Sequence, residues 1–176
     1  MKLNTSNLGK FEEFKHLFAK HGRSLEATHV DLAEIEADPI SVVVHKASQM
    51  EDRILVDDTS LEVAGAALGI NVRWLLEHLP ELAGRKASWR VLLAYRERDQ
   101  VFVYQGIVIG TIVEPKGKGG FGFDPVFLPD GATQTLAEAK LDCYNARALA
   151  VDALLKEKAL TIQPVIQHWQ GPWQQS

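Results

Sequence analysis

The chain of 176 residues holds one cysteine, Cys143, so it can build neither an internal disulfide nor a cysteine-rich zinc site. No apolar run approaches the ~20 residues that a membrane-spanning helix needs. The N-terminus passes directly into Lys2-Leu3-Asn4, without the pattern of a secretory signal. Positive charge is not in excess either: 19 Lys and Arg stand against 23 Asp and Glu, for a net charge of −4. That balance supplies no global basic field for nucleic acid or an anionic membrane, so an anionic ligand would need a local positive site. There is no internal repeat and no linker long enough to separate domains. The expectation is a soluble, cytoplasmic protein with one substantial core, in keeping with 46% hydrophobic and 24% charged residues.

The stretch from Arg53 to Val63 carries the densest chemistry. Ile54-Leu55-Val56 reads as a buried strand, and Asp57, Asp58, Thr59 and Ser60 follow it directly. In an open α/β sheet, ligands bind outside the carboxyl ends of strands, and two adjacent acids invite a divalent cation to offset their repulsion. A solvated turn whose side chains bond their own backbone fits the same residues. This stretch alone does not choose between them.

Around it, Met1 to Thr5 reads as a short strand and Thr5 to Lys10 as a polar loop, with Ser6 or Asn7 capping a helix marked by Phe11, Phe14, Leu17 and Phe18. Such a loop entering a helix, with Lys10 in its first turns, can hold an anion. Thr28 to Leu32 reads as a second strand, followed by Glu34, Glu36 and Asp38. Pro39 then opens a helix that carries Lys46 near its end. Alternation from Trp89 to Tyr95 and the β-branched run from Gln100 to Val113 predict two strands joined at Arg96 to Asp99, an antiparallel layer within an α/β chain. The loop from Pro115 to Pro125 combines glycines, lysines and aromatics, suited to close backbone approach and to stacking on a base. Thr135 to Lys140 reads as a short helix and Asn145 to Lys158 as a longer one. The glutamine-rich stretch from Thr161 to Ser176 fits either an edge strand or an end packed by Trp169 and Trp173.

Taken together, these segments resemble the inosine/xanthosine triphosphate pyrophosphatase family over roughly Asn4 to Leu155. The signposts are Thr5 to Lys10, Asp31 to Glu34, Val56 to Leu61, Gly69 to Arg73, Gly120-Phe121-Gly122-Phe123-Asp124-Pro125, Pro129 to Gly131 and Thr135 to Glu138, all in order. The resemblance implies a mixed α/β fold, an elongated two-lobed sheet with flanking helices and a central nucleotide cleft. It also implies a single domain over 1–176, usually a homodimer, that hydrolyses nucleoside triphosphates to monophosphate and pyrophosphate. Thr5, Ser6, Asn7, Lys10, Lys46, Thr59 and Arg73 would cradle the triphosphate. Glu34, Asp57 and Asp58 would hold Mg²⁺, or Mn²⁺ in its place. Asp58 would activate water with Lys10 as its catalytic partner. Phe121, Gly122, Phe123, Asp124, Lys140, Tyr144 and Asn145 would meet the nucleoside.

One departure stands out. Family members carry Ser-His-Arg at the start of the last long helix, where His and Arg read the purine 6-oxo group. One register places Cys143-Tyr144-Asn145 there; another places Asn145-Ala146-Arg147, which restores the Arg but no His. Altered base specificity follows from either register. Two further readings stay open, a catalytically weak nucleotide-binding or regulatory module and a pyrophosphatase for a pyrimidine or specialised nucleotide.

Overall fold

A computed structural model describes residues 1–66 and 72–174. The fold is mixed α/β, with seven strands in one sheet and flanking helices. In chain order the strands are β1 (Lys2–Asn4), β2 (Glu26–Thr28), β3 (Ile54–Val63), β4 (Lys86–Glu97), β5 (Gln100–Ile112), β6 (Phe127–Pro129) and β7 (Thr161–Pro164). The helices are α1 (Leu8–Ala19), α2 (Pro39–Ser48), α3 (Val72–Glu77), α4 (Leu79–Leu82) and α5 (Ala146–Leu155). The sheet order is β2-β1-β3-β4-β5-β6, with β7 also on β5. β1 pairs parallel with β2 and β3, whereas β6 and β7 run antiparallel to β5.

The chain divides into two compact units. The first comprises Met1–Asp58, Val91–Gln105 and Ala150–Ser176; the second comprises Thr59–Arg90 and Gly106–Leu149. In the first unit, α2 forms although Val42-Val43-Val44 is a β-branched run. Asp38 caps it, accepting from the Ser41 amide at 3.1 Å, and Pro39 presets its first turn. Its apolar side then buries Val43, Val44 and Ala47 against Val56, Leu92 and Val103, and that burial outweighs the propensity cost. The expected cap of α1 is Asn7, whose side chain accepts from the Lys10 amide at 3.0 Å. The second unit is organised around Trp89, fully buried, which meets Phe123 and Phe127 edge-on at 5.7 and 6.4 Å between ring centroids.

Two expectations need correcting, and one open alternative is closed. The strand foreseen over Thr28 to Leu32 lies earlier, at Glu26–Thr28. The buried Asn4 side chain takes the place of a continued ladder, bonding the Val30 amide and carbonyl at 2.8 and 2.9 Å and the Thr28 hydroxyl at 2.8 Å. The helix foreseen over Thr135 to Lys140 is a single turn, closed by the Thr135 amide on Glu138 and the Glu138 amide on the Thr135 hydroxyl. Asp57 to Ser60 form no turn, since β3 runs on through them to Val63. The expected segment at Gly69, Ile70 and Asn71 lies outside the described residues.

Candidate functional site

β1 ends at Asn4, and its pairing with β3 is registered at Lys2↔Ile54 and Leu3↔Leu55. β3 continues past that register, so Asp57 comes to lie outside the carboxyl end of β1, where an open parallel sheet places its ligands. There the first unit holds a cavity of about 380 Å³ lined by Asn4, Thr5, Ser6, Asn7, Lys10, His29, Val30, Asp31, Leu32, Glu34, Lys46 and Asp57. Thr5, Ser6, Asn7, Lys10, Glu34, Lys46 and Asp57 are thus brought together as the sequence suggests.

The charges in this cavity are cross-linked. Lys10 Nζ lies 3.2 Å from Asp57 Oδ2, with the Asp57 side chain only 5% exposed. Lys46 Nζ donates to the Asp57 carbonyl at 2.6 Å and pairs with Glu34 Oε1 at 3.1 Å. Thr5 Oγ1 accepts from the Asn7 amide at 3.1 Å, which fixes the turn into α1. The half-buried Asp58 carboxyl is pushed up to about 6, chiefly by burial; the like charges of Asp57 and Glu34 add to the rise, while Lys46 and Lys10 oppose it. Lys10 and Lys46 therefore hold Asp57 and Glu34 in place, each lysine paired with an acid, while Asp58 does not line the cavity.

The donor set suits a divalent cation. Glu34, Asp57 and Asp58 offer only carboxylate oxygens, the chemistry a hard ion prefers. Among the described residues, no group of three or more His, Cys, Asp or Glu side chains is arranged to hold a metal ion, with Asp57 and Glu34 engaged by Lys10 and Lys46. An ion that keeps several waters and takes substrate phosphate oxygens is the kind that fits such an open set.

A second cluster lies in the second unit. Lys140 pairs with the buried Asp124 at 2.8 Å, and the Phe121 amide donates to the same carboxylate at 3.0 Å. Gly120 makes this possible, because its φ is +70° and an added Cβ would collide with the Asp124 carboxylate. Lys140 Nζ and Arg147 Cζ each lie 4.9 Å from the Phe121 ring, and 5.5 and 5.4 Å from the Trp89 ring. Phe123 is buried against Trp89 and Phe127, which makes it a core residue; the half-buried Phe121 is the aromatic set among the cations. Asn145 caps α5, its side-chain oxygen accepting from the Arg147 and Ala148 amides at 2.9 and 3.3 Å. That fixes Asn145-Ala146-Arg147 at the helix start and leaves Tyr144 half-buried just before it. Gly122, at φ +64°, is exposed. Thr59 and Arg73 also belong to the second unit and do not line the cavity; Arg73 is exposed on α3 and paired with Glu77 at 3.2 Å.

Sequence reasoning misses Asn4, His29 and Trp89 as parts of these clusters. His29 Nδ1 lies 2.9 Å from the Thr5 carbonyl, which turns the ring to the cavity. A polar residue closing a short apolar strand was the available signal for Asn4; nothing in the local pattern marks His29.

Residues 1–157 match the model of the Ham1 family. The chain belongs to the Ham1 family. Among its relatives is a dITP/XTP pyrophosphatase of Pyrobaculum aerophilum, 34% identical, the match covering 82% of this chain and 87% of the relative. An inosine triphosphate pyrophosphatase of Yarrowia lipolytica is 30% identical, with 88% and 91% covered. A crystal structure of a nucleoside-triphosphatase, dITP/XTP pyrophosphatase, from Mycobacterium abscessus shares the fold with a TM-score of 0.54 at 20% identity, over 89% of this chain and 95% of that one. Against the Ser-His-Arg expected at the start of α5, Asn145-Ala146-Arg147 keeps only the arginine. No helix among the described residues is long and apolar enough to cross a membrane.

Proposed function

We propose that this Ham1 protein hydrolyses a nucleoside triphosphate to the monophosphate and pyrophosphate. The observation that carries the reading is the cavity where the loop after β1, Lys10, Lys46, Glu34 and Asp57 meet. Thr5, Ser6, Asn7 and the N-terminus of α1 would take phosphate oxygens, with Lys10 and Lys46 as point charges. Binding requires Lys10 to exchange part of its contact with Asp57 for phosphate.

Glu34, Asp57 and Asp58 would hold Mg²⁺, with Mn²⁺ able to substitute. When bound, the ion supplies charge neutralisation at the triphosphate and at the attacking oxygen. Asp58 accepts a proton as water forms its bond to the α-phosphorus. The bond from that phosphorus to the α,β-bridging oxygen breaks, and pyrophosphate leaves with the electron pair. Lys10 stabilises the charge that builds on the phosphate oxygens.

In the second unit, Phe121 would stack on the base, backed by Gly122 and by Phe123 in the core. Asp124 orients Lys140, and Lys140, Tyr144 and Arg147 would face the base edge. Lys140 and Arg147 bring only donors, which suits a base bearing carbonyl oxygens such as the 6-oxo purines. Asn145 acts here by fixing the start of α5. With Ala146 in place of a histidine, one donor to that edge is gone, so selectivity is relaxed. The resemblance extends the proposal to a homodimer acting on free nucleotides in the cytoplasm.

A panel of ITP, dITP, XTP, UTP, dUTP and the ordinary purine triphosphates, assayed for pyrophosphate, tests this reading. We expect turnover of ITP and XTP with a preference far below the ~10,000-fold that a hydrogen-bonding site can reach. A preference of that size would remove the argument from Ala146. Tight binding of every nucleotide without turnover would favour the regulatory module instead.

A further inference from the structure

The residues that follow β7 lie beyond those matched to the Ham1 family and take no part in the chemistry proposed above. They nonetheless make a dense set of contacts with the segment that carries Glu34. Ile35 and Trp173 form an isolated antiparallel bridge. The Glu36 amide donates to the Pro172 carbonyl at 3.0 Å, and the Gln174 amide donates to the Glu34 carbonyl at 2.9 Å. The Gln174 side chain adds a bond to the Ile35 carbonyl at 3.0 Å. Residues 29–34 have no helix or strand of their own; Asn4 holds Val30 and the Gln49 side chain donates to the Ala33 carbonyl at 3.1 Å, and the strap adds the bonds at Glu34, Ile35 and Glu36.

The strap is itself braced. The Trp173 ring meets the buried His45 of α2 edge-on at 5.3 Å between centroids. Trp169 Nε1 donates to the Pro172 carbonyl at 2.8 Å, and a Cβ at Gly171 would strike the Trp169 indole at 2.7 Å. Upstream, the Ile166 amide donates to the Ser48 hydroxyl at 3.0 Å, while Val165 and Ile166 pack on the core of the first unit. α2 thus carries both the anchor of the strap and Lys46, the partner of Glu34.

We infer that Trp169 to Gln174 form a positioning strap that holds Glu34 in place for the divalent cation. This rests on the assignment of Glu34 as a metal ligand. The Glu34 side chain is 37% exposed and held by one lysine, so its direction depends on a backbone that the strap holds at the Glu34 carbonyl, Ile35 and the Glu36 amide. An outer partner of a metal ligand affects affinity because it removes the need to order the ligand on binding.

The test uses the full chain with four variants: Trp173→Ala, Trp173→Phe, Gln174→Pro and Glu34→Gln. Gln174→Pro deletes the amide that bonds the Glu34 carbonyl, and Trp173→Phe keeps an aromatic against His45. Two readouts are needed besides turnover: hydrogen exchange of the Glu36 amide, and Mn²⁺ binding by calorimetry. We expect Trp173→Ala and Gln174→Pro to weaken Mn²⁺ binding by ~10-fold, to speed exchange at Glu36, and to raise the Mg²⁺ concentration for half-maximal rate with little change in the rate at saturation. Trp173→Phe should restore most of this. Unchanged Mn²⁺ binding in the strap variants, with Glu34→Gln impaired, would overturn the strap alone. Normal Mn²⁺ binding in Glu34→Gln would overturn the ligand assignment and the strap with it.

Discussion

Replacing Asn4 with alanine should cost more than its position in a three-residue strand suggests. The side chain is 7% exposed and makes three hydrogen bonds, to the Val30 amide, the Val30 carbonyl and the Thr28 hydroxyl. At ~1 kcal/mol net for each bond, the loss is about 3 kcal/mol. In a chain of this length each kcal/mol moves the melting midpoint by roughly 2–4 °C, so a fall of about 6–12 °C is expected. Thr28→Val removes one of the three bonds and should cost about 1 kcal/mol. The double variant should be no worse than Asn4→Ala alone, because the bond is already absent. Urea titration followed by tryptophan fluorescence measures all three. The same bonds turn the chain from β2 towards Glu34, so Asn4→Ala should also weaken metal activation after correction for folded fraction. A loss below ~0.5 kcal/mol, the range of an ordinary surface change, would refute this account of how the loop is held.

Asp58→Asn should leave the fold intact and reduce the rate of pyrophosphate release by ~100-fold or more, read in a coupled assay at saturating Mg²⁺; near-normal rate would remove Asp58 from the proton step. Chelation of divalent ions should abolish the same signal, and added Mg²⁺ should restore it. Asp38→Ala should cost about 1 kcal/mol as a lost helix cap, measured by urea unfolding at neutral pH. The Asp38 carboxyl is held below its ordinary value, first by its bond from the Ser41 hydroxyl. Its folded value is thus below its unfolded one, so its contribution is present at neutral pH and fades as pH falls through the depressed value. The gap between Asp38→Ala and the parent chain should close in acid.

Much of the site was legible because its signals are local. Asn7 as cap, Pro39 at a helix start and Lys46 near that helix's end depend on residues within a few positions, and the described structure keeps each one. The misplacements come from partners distant in sequence. Thr28 to Leu32 look like a strand by composition, but Asn4, 26 positions before Val30, takes up the backbone groups that a strand would need. Asp57 and Asp58 resemble a turn, yet β3 extends through them. Asn145 could read a base by its chemistry; the onset of α5 commits its oxygen to the helix end instead. The strap was the least legible feature, since nothing around Trp173 or Gln174 signals a segment more than a hundred positions earlier.

The central claim is that water attacks the α-phosphorus, and isotopically labelled water tests it most directly. Hydrolysis of ITP in labelled water with Mg²⁺, followed by mass spectrometry of both products, should put the label in the nucleoside monophosphate and leave pyrophosphate unlabelled. Label in pyrophosphate, or orthophosphate as the only inorganic product, would contradict the account.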